Sequence, residues 1–246
     1  MEESRINILG VPVDLIDRDA ALARFERLFP EEGVTAVYTP NSEIVENASH
    51  DPELKKLIGS AELIIPDGIG LVYASKFVGH PLKERVTGID FLEAIIAFLE
   101  KNGKSIYFLG SKPGVAEKAA EKIREKYPAL LVAGTHDGYF KAEEEPEIIE
   151  MINNSGADFL CVALGAPKQE KFIYSHKAEL KVHGAIGVGG SLDVWSGDLK
   201  RAPEFYQKHG LEWLYRFIQQ PARIGRVMKL PVFTLKVIIQ GRSQEE

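Results

Sequence analysis

The stretch "AELIIPDGIGLVYASKF", Ala61–Phe77, decides the reading of the fold. A short apolar run, Leu63-Ile64-Ile65, stops at Pro66-Asp67-Gly68, and a helical pattern begins at once. A run of this length bounded by proline and glycine suits a buried strand. The same alternation recurs along the chain. Strands are expected near "INILG", "TAVYT", "AELIIP", "SIYFLG", "LLVAG", "DFLCVALG" and "HGAIGVGG". Helical patterns fit 19–29, 42–60 with a break near Pro52, 70–77, 88–101, 114–127, 143–153, 168–176 and 203–219, and a last helix begins near Pro221. Strands alternating with helices of about 10–15 residues predict an α/β, Rossmann-like fold. Its sheet is largely parallel, with helices on both faces.

In such sheets, ligands bind beyond the carboxyl ends of the strands. The residues that follow each run are polar or glycine: Pro40-Asn41, Asp67-Gly68, Ser111, Thr135 to Tyr139, Ala166 to Gln169, and Ser191 to Asp193. Together they mark one edge of the sheet as a candidate site. Asp67 has two readings there. It caps the helix that follows, or it is a general base at the mouth of a pocket.

Length and composition set bounds. The chain has 246 residues, 45% of them hydrophobic, enough for one large α/β domain or for one domain with an appendage. A net charge of −6 does not suit a nucleic-acid binder. The single cysteine, Cys161, rules out an intrachain disulfide framework and lies in an apolar run, as a buried small hydrophobe does. "MEESRINILG" does not read as a signal peptide. No apolar run reaches the ~18 residues that a spanning helix needs.

Charge is uneven. From Leu211 to Arg242 there are six bases and one acid, Glu212, so this segment carries +5 and the remainder −11. A boundary is placed after Gly210, dividing an α/β domain, 1–210, from a basic appendage, 211–246. In the appendage, Ile224, Val227, Met228, Pro231, Leu235 and Ile238 share one side of a helix, opposite Arg226, Lys229 and Lys236. One reading is a helix packed on the body. The other is an interfacial helix on an anionic membrane surface.

Standard motifs are few. There is no GxxxxGK[ST] loop. "GVGGS", at Gly187–Ser191, lacks the third glycine of the dinucleotide fingerprint and comes late in the chain. Gly189 and Gly190 form either a tight turn or a close backbone approach to phosphate or sugar. "DRD" at Asp17–Asp19 resembles a metal-binding DxD, but it precedes an amphipathic helix and reads as a cap. The six histidines show no paired-ligand spacing, so no metal and no cofactor is expected. His136, in the candidate loop set, reads as structural.

Longer words carry a resemblance. "LGVPVD", "TPNSEIVENASHDPELKKLI", "AELIIPDGIG", "ERVTGIDF", "YFLGSKPGVAEKAAEKI", "GTHDGYF", "VALGAPKQEKFI" and "GVGGSLDVWSGDLKRAPEF" occur in order from Leu9 to about Phe217. In these the chain resembles the WecG/TagA/CpsF family of bacterial glycosyltransferases, closest to its wall-teichoic-acid branch. The resemblance implies inverting, metal-independent transfer of N-acetylmannosamine from UDP-N-acetylmannosamine. The acceptor would be N-acetylglucosamine on undecaprenyl diphosphate, and the linkage β-1,4. Alternatives are another UDP-sugar donor, or a non-catalytic sugar-nucleotide-binding module. On this resemblance Asp67 is the expected base, and Arg85 is expected to stabilise the leaving diphosphate; otherwise Arg85 is a surface ion pair with Glu84 or another acid. Thr39, Asn41 and Gln169 are placed beside the sugars, or else serve as a turn residue, a helix cap and a surface helix position. Gly110, Tyr139, Gly165, Gly189 and Asp193 are placed around UDP. Arg216, Arg223 and Arg226 of the appendage are expected to clamp the diphosphate. The protein is expected in the cytoplasm, peripheral on the inner face of the membrane, and as a homo-oligomer away from it.

Overall fold

The computed structural model describes residues 5–30, 32–221 and 224–245; the side chains of 226, 227 and 242–245 lie outside that description. The first elements correct an expectation. "INILG" was expected in the main sheet. Instead β1 (Arg5–Ile8) and β2 (Val11–Asp14) pair antiparallel as a separate hairpin. Leu9 and Gly10 both have positive φ, and Asn7 Oδ1 accepts from the Gly10 N–H at 2.7 Å, which is the chemistry of a two-residue turn. Buried Asp14 ties the hairpin down by pairing with Arg5 and Arg24.

Next come α1 (Arg18–Leu28), β3 (Thr35–Tyr38), α2 (Ser42–His50), α3 (Pro52–Gly59), β4 (Leu63–Ile64), α4 (Ile69–Phe77) and α5 (Gly88–Lys101). Asp17 caps α1 by accepting from the Ala20 N–H, as the "DRD" reading expects. The break at Pro52 is also where the sequence puts it. Asp51 ends α2 and caps α3, and Pro52 occupies the first turn, where no N–H is needed. The chain continues through β5 (Ser105–Gly110), α6 (Val115–Lys126), β6 (Leu131–His136), α7 (Glu145–Asn154), β7 (Phe159–Ala163), α8 (Lys168–His176) and β8 (Gly184–Gly187).

Six strands form one sheet in the order β4-β3-β8-β7-β5-β6, every neighbouring pair parallel. Parallel strands need crossover helices, and these cover both faces. Side chains alternate accordingly. Ala36 and Tyr38 of β3 enter one apolar core with α2, α3, α7 and α8, while Val37 enters the other with α1, α5 and α6. Cys161 is fully buried in the second core, and burial pushes its thiol up.

The C-terminal segment departs from the simple reading. One helix was expected over 203–219. Two short pieces occur instead, α10 (Glu204–Lys208) and α11 (Glu212–Gln219), separated at Gly210, and α9 (Ser191–Trp195), which was not foreseen, precedes them. Gly210 has a φ of 69°, and a Cβ there would lie 2.7 Å from Ile69 Cγ1, so the chain turns tightly against α4. After α12 (Ile224–Val227), the long α13 (Lys229–Glu245) packs on α2 and α4. Pro231 does not divide α13; it sits in the first turn.

The two faces of α13 are not those expected. Phe233 and Val237 are buried in the first core. Lys229 donates to Asn47 Oδ1 at 2.5 Å, and Lys236 to Glu46 Oε1 at 2.6 Å, so both lysines lie on the docked side rather than opposite it. Val232, Leu235 and Ile239 form a second apolar row that faces outward, with Ile224 and Met228 before them. Among the described residues no helix is long and apolar enough to cross a membrane.

Candidate active site

The carboxyl ends of all six strands open into one cleft of about 800 Å3. Thr39 and Asn41 follow β3, Asp67 follows β4, Ser111 and Lys112 follow β5, and Tyr139 follows β6. Gly165 and Gln169 follow β7, and Gly189 and Asp193 follow β8. A second cavity of about 180 Å3 adjoins it, lined by Asn41, Gly68, Arg85, Thr87, Glu212 and Trp213, among others. Asn41, Asp67 and Arg216 line both, so they stand where the two spaces meet.

Asp67 is held there by backbone. Ile65 N–H donates to Tyr38 O, and Asp67 N–H to Pro40 O at 3.0 Å, which carries the β4 register one step past the strand. Gly68 follows with a φ of 91° and makes the turn into α4, which has no side-chain cap. The capping role for Asp67 is therefore not taken up. Its Oδ2 instead accepts from Gly88 N–H, the first residue of α5, at 3.3 Å. Burial raises the Asp67 pKa from 3.8 to about 6. The Arg216 guanidinium, the Gly88 N–H and Arg85 oppose that rise, while Glu212 adds to it. A carboxylate of this pKa is mostly ionised at neutral pH yet basic enough to accept a proton.

Other sequence-placed residues are more committed to the protein. Thr39 is buried and its hydroxyl donates to Gly187 O at 3.1 Å. Asn41 caps α2: its Oδ1 accepts from the Glu43 and Ile44 N–H groups, which leaves its amide nitrogen out of the cap. Gln169 is not on the surface. It is 3% exposed, its Oε1 accepts from Gly189 N–H at 2.8 Å, and its Nε2 donates to Glu170 Oε1 at 2.8 Å. Gly187 makes room for it, since a Cβ there would lie 2.8 Å from Nε2. The amide thus holds the Gly189 turn in shape. Glu170 is itself buried, and burial raises its pKa.

Around the larger cleft, Ser111 donates to Asp193 Oδ2 at 3.2 Å, joining the ends of β5 and β8. Gly110 brings β5 against Ala163, where a Cβ would sit 2.5 Å from backbone atoms. Tyr139 is 71% exposed at the rim, in a turn closed by its N–H to Asp137 Oδ1. Gly165 O accepts from the Gln169 N–H. His136 does not line the cleft; its Nδ1 bonds Asp137 O and its ring meets Phe140.

Arg85 pairs with Glu212, not Glu84, at 2.6 Å. Glu84 accepts from the Arg18 N–H. Of the three appendage arginines, Arg216 reaches the cleft; Arg223 and the Arg226 side chain lie outside the described residues. Glu212 and Trp213 were not among the expected site residues, and Ser111 was marked only by its place after a strand. The one available signal was Glu212 as the lone acid in a basic run. Among the described residues, no three His, Cys, Asp or Glu side chains group as metal ligands.

Comparison with known proteins gives the family. A family model described as the glycosyl transferase WecG/TagA/CpsF family matches residues 6–246. A protein of Bacillus spizizenii, named N-acetylglucosaminyldiphosphoundecaprenol N-acetyl-beta-D-mannosaminyltransferase, is 36% identical over 207 residues, 84% of this chain and 80% of its own. Proteins of the same name from Bacillus subtilis and Staphylococcus aureus (strain MW2) are 34% and 32% identical, covering 89% and 95% of this chain and 86% and 92% of theirs. With the model matched over nearly its whole length, this chain belongs to the WecG/TagA/CpsF family of glycosyl transferases.

Proposed function

We propose that this enzyme moves N-acetylmannosamine from UDP-N-acetylmannosamine to N-acetylglucosamine on undecaprenyl diphosphate, forming a β-1,4 linkage by inversion and without a metal. The observation that carries the reading is Asp67, with a pKa of about 6, standing where a large cleft meets a smaller cavity. The names of the relatives supply the sugar and the acceptor.

In this mechanism the donor occupies the larger cleft, with its nucleotide towards Tyr139, Gly110, Gly165, Gly189 and Asp193. The acceptor sugar enters from the smaller cavity. Asp67 takes the proton of the acceptor hydroxyl as its oxygen attacks the anomeric carbon from the face opposite the phosphate. The bond to the β-phosphate oxygen breaks, UDP leaves with that electron pair, and Asp67 later releases its proton to water. Arg216 is placed to meet the charge that develops on the diphosphate, a role guanidinium groups fill well.

The acceptor's lipid implies a membrane-facing side. The outward row of Val232, Leu235 and Ile239, with Ile224 and Met228, supports peripheral attachment, and α4 exposes Tyr73 and Phe77 beside α13. Exposed apolar rows of this size suit an interface.

The test is UDP release from UDP-N-acetylmannosamine with a soluble lipid-diphosphate N-acetylglucosamine analogue, in EDTA. Acceptor-dependent release by wild type that is lost in Asp67→Asn is expected. Equal release from both proteins would remove Asp67 as base. Release only with a different UDP-sugar would overturn the donor.

A further inference from the structure

We infer that Arg85 and Glu212 form an ion-pair latch that positions Arg216 over the cleft, so that Arg85 serves the tail and not the donor diphosphate. This rests on the reading of the cleft as a sugar-nucleotide site.

Four observations support it. The Arg85–Glu212 contact is 2.6 Å and each side chain is only 16% exposed, so the charges are largely removed from water and each depends on the other. Glu212 and Arg216 lie four residues apart on α11, so they share one face of the helix. Arg85 lines the smaller cavity but not the larger cleft, whereas Arg216 lines both. Finally, Glu212 is the lone acid from Leu211 to Arg242, a segment otherwise suited to anions.

The geometry explains how a short helix is held. α11 starts just after Gly210, which seats the chain on Ile69 of α4. Two residues later Glu212 reaches Arg85, in the loop before α5. These two anchors fix both the position and the rotation of α11. One turn further on, Arg216 lines both cavities with Asp67, and its charge opposes the rise that burial causes in the Asp67 pKa. Glu212 is thus a positioning residue. It touches no reacting atom, but it decides whether a guanidinium stands at the leaving group.

Trp213, beside Glu212, lines the smaller cavity and reports on the docking of α11. The chain has one other tryptophan, Trp195, so a Trp195→Phe background isolates the signal. In that background, full-length Arg85→Ala, Glu212→Ala, Glu212→Gln and the Arg85→Ala/Glu212→Ala double variant are compared by emission and by turnover. A latch predicts a red shift in every variant. Each single change should lower kcat on the order of 10²-fold, the scale of a misplaced catalytic group, and the double variant should lose no more than the worse single one. Multiplying losses would mean that Arg85 acts on its own, and unchanged emission in the single variants would mean that the pair does not hold α11. Either result overturns the proposal. If the parent protein transfers no sugar, the functional reading fails, while the emission still decides the latch.

Discussion

Asp67→Asn should stabilise this protein while abolishing most of its activity. Burial has moved the Asp67 carboxyl from 3.8 to about 6. At neutral pH the folded chain must therefore keep ionised a group that its surroundings prefer neutral. At ~1.4 kcal/mol per pH unit, that costs about 3 kcal/mol. The sign follows from proton binding. Between 3.8 and about 6 the folded state holds more protons on this group than the unfolded state, so its contribution to stability falls as pH rises through that window and is level above it. Asparagine resembles the neutral acid and escapes the cost. The gain should be about 3 kcal/mol at pH 8 and about half that at pH 5, where the folded carboxyl is mostly protonated but the unfolded one is still ionised. For a chain of this size that is a rise in Tm of about 6–12 °C at pH 8. Thermal melts of both proteins at the two pH values measure it. Turnover should fall by ~10²–10⁴-fold, the usual worth of a general base. In wild type, kcat/KM should rise with pH through about 6 and then level off. A variant that melts no higher than wild type at pH 8, or gains equally at pH 5 and pH 8, would refute the strained-carboxylate reasoning.

Three other perturbations probe the surroundings. Gly110→Ala puts a methyl group 2.5 Å from the Ala163 backbone at a φ of 128°, so urea unfolding should show a loss of about 3 kcal/mol or more. Phe233→Ala removes a side chain that is 2% exposed where α13 meets the body; a loss of about 3–5 kcal/mol is expected by urea unfolding if the helix and body unfold together. Leu235→Glu with Ile239→Glu alters the outward row only, so co-sedimentation with anionic vesicles should weaken while the melting temperature stays within about 1–2 °C of wild type.

Much of this protein is local in origin, and local features are legible in sequence. Short apolar runs separated by helical periods dictate parallel strands with crossover helices, and parallel strands place their carboxyl ends along one edge. The strand-end cleft therefore follows from residues such as Asp67-Gly68 and Gly189-Gly190 before any coordinates. The break at Pro52 and the cap at Asp17 are local in the same way. Pairing between distant segments is different, because periodicity says which side of an element is apolar but not what will cover it. "INILG" has the pattern of a sheet strand, yet the Leu9-Gly10 turn folds it onto β2 instead. Gln169 follows a strand, as expected, but the space beside Gly187 takes its side chain inward. In α13 two apolar rows compete, and only packing against α2 and α4 decides that Phe233 and Val237 go inside while Leu235 and Ile239 stay out. Sequence alone determined the layered α/β order and the edge where the cleft lies, because both follow from neighbours along the chain. Tertiary structure decided that Arg85 pairs with Glu212 and that Arg216 lines the same cavities as Asp67, because charges far apart in sequence come together only once packing has brought their elements together.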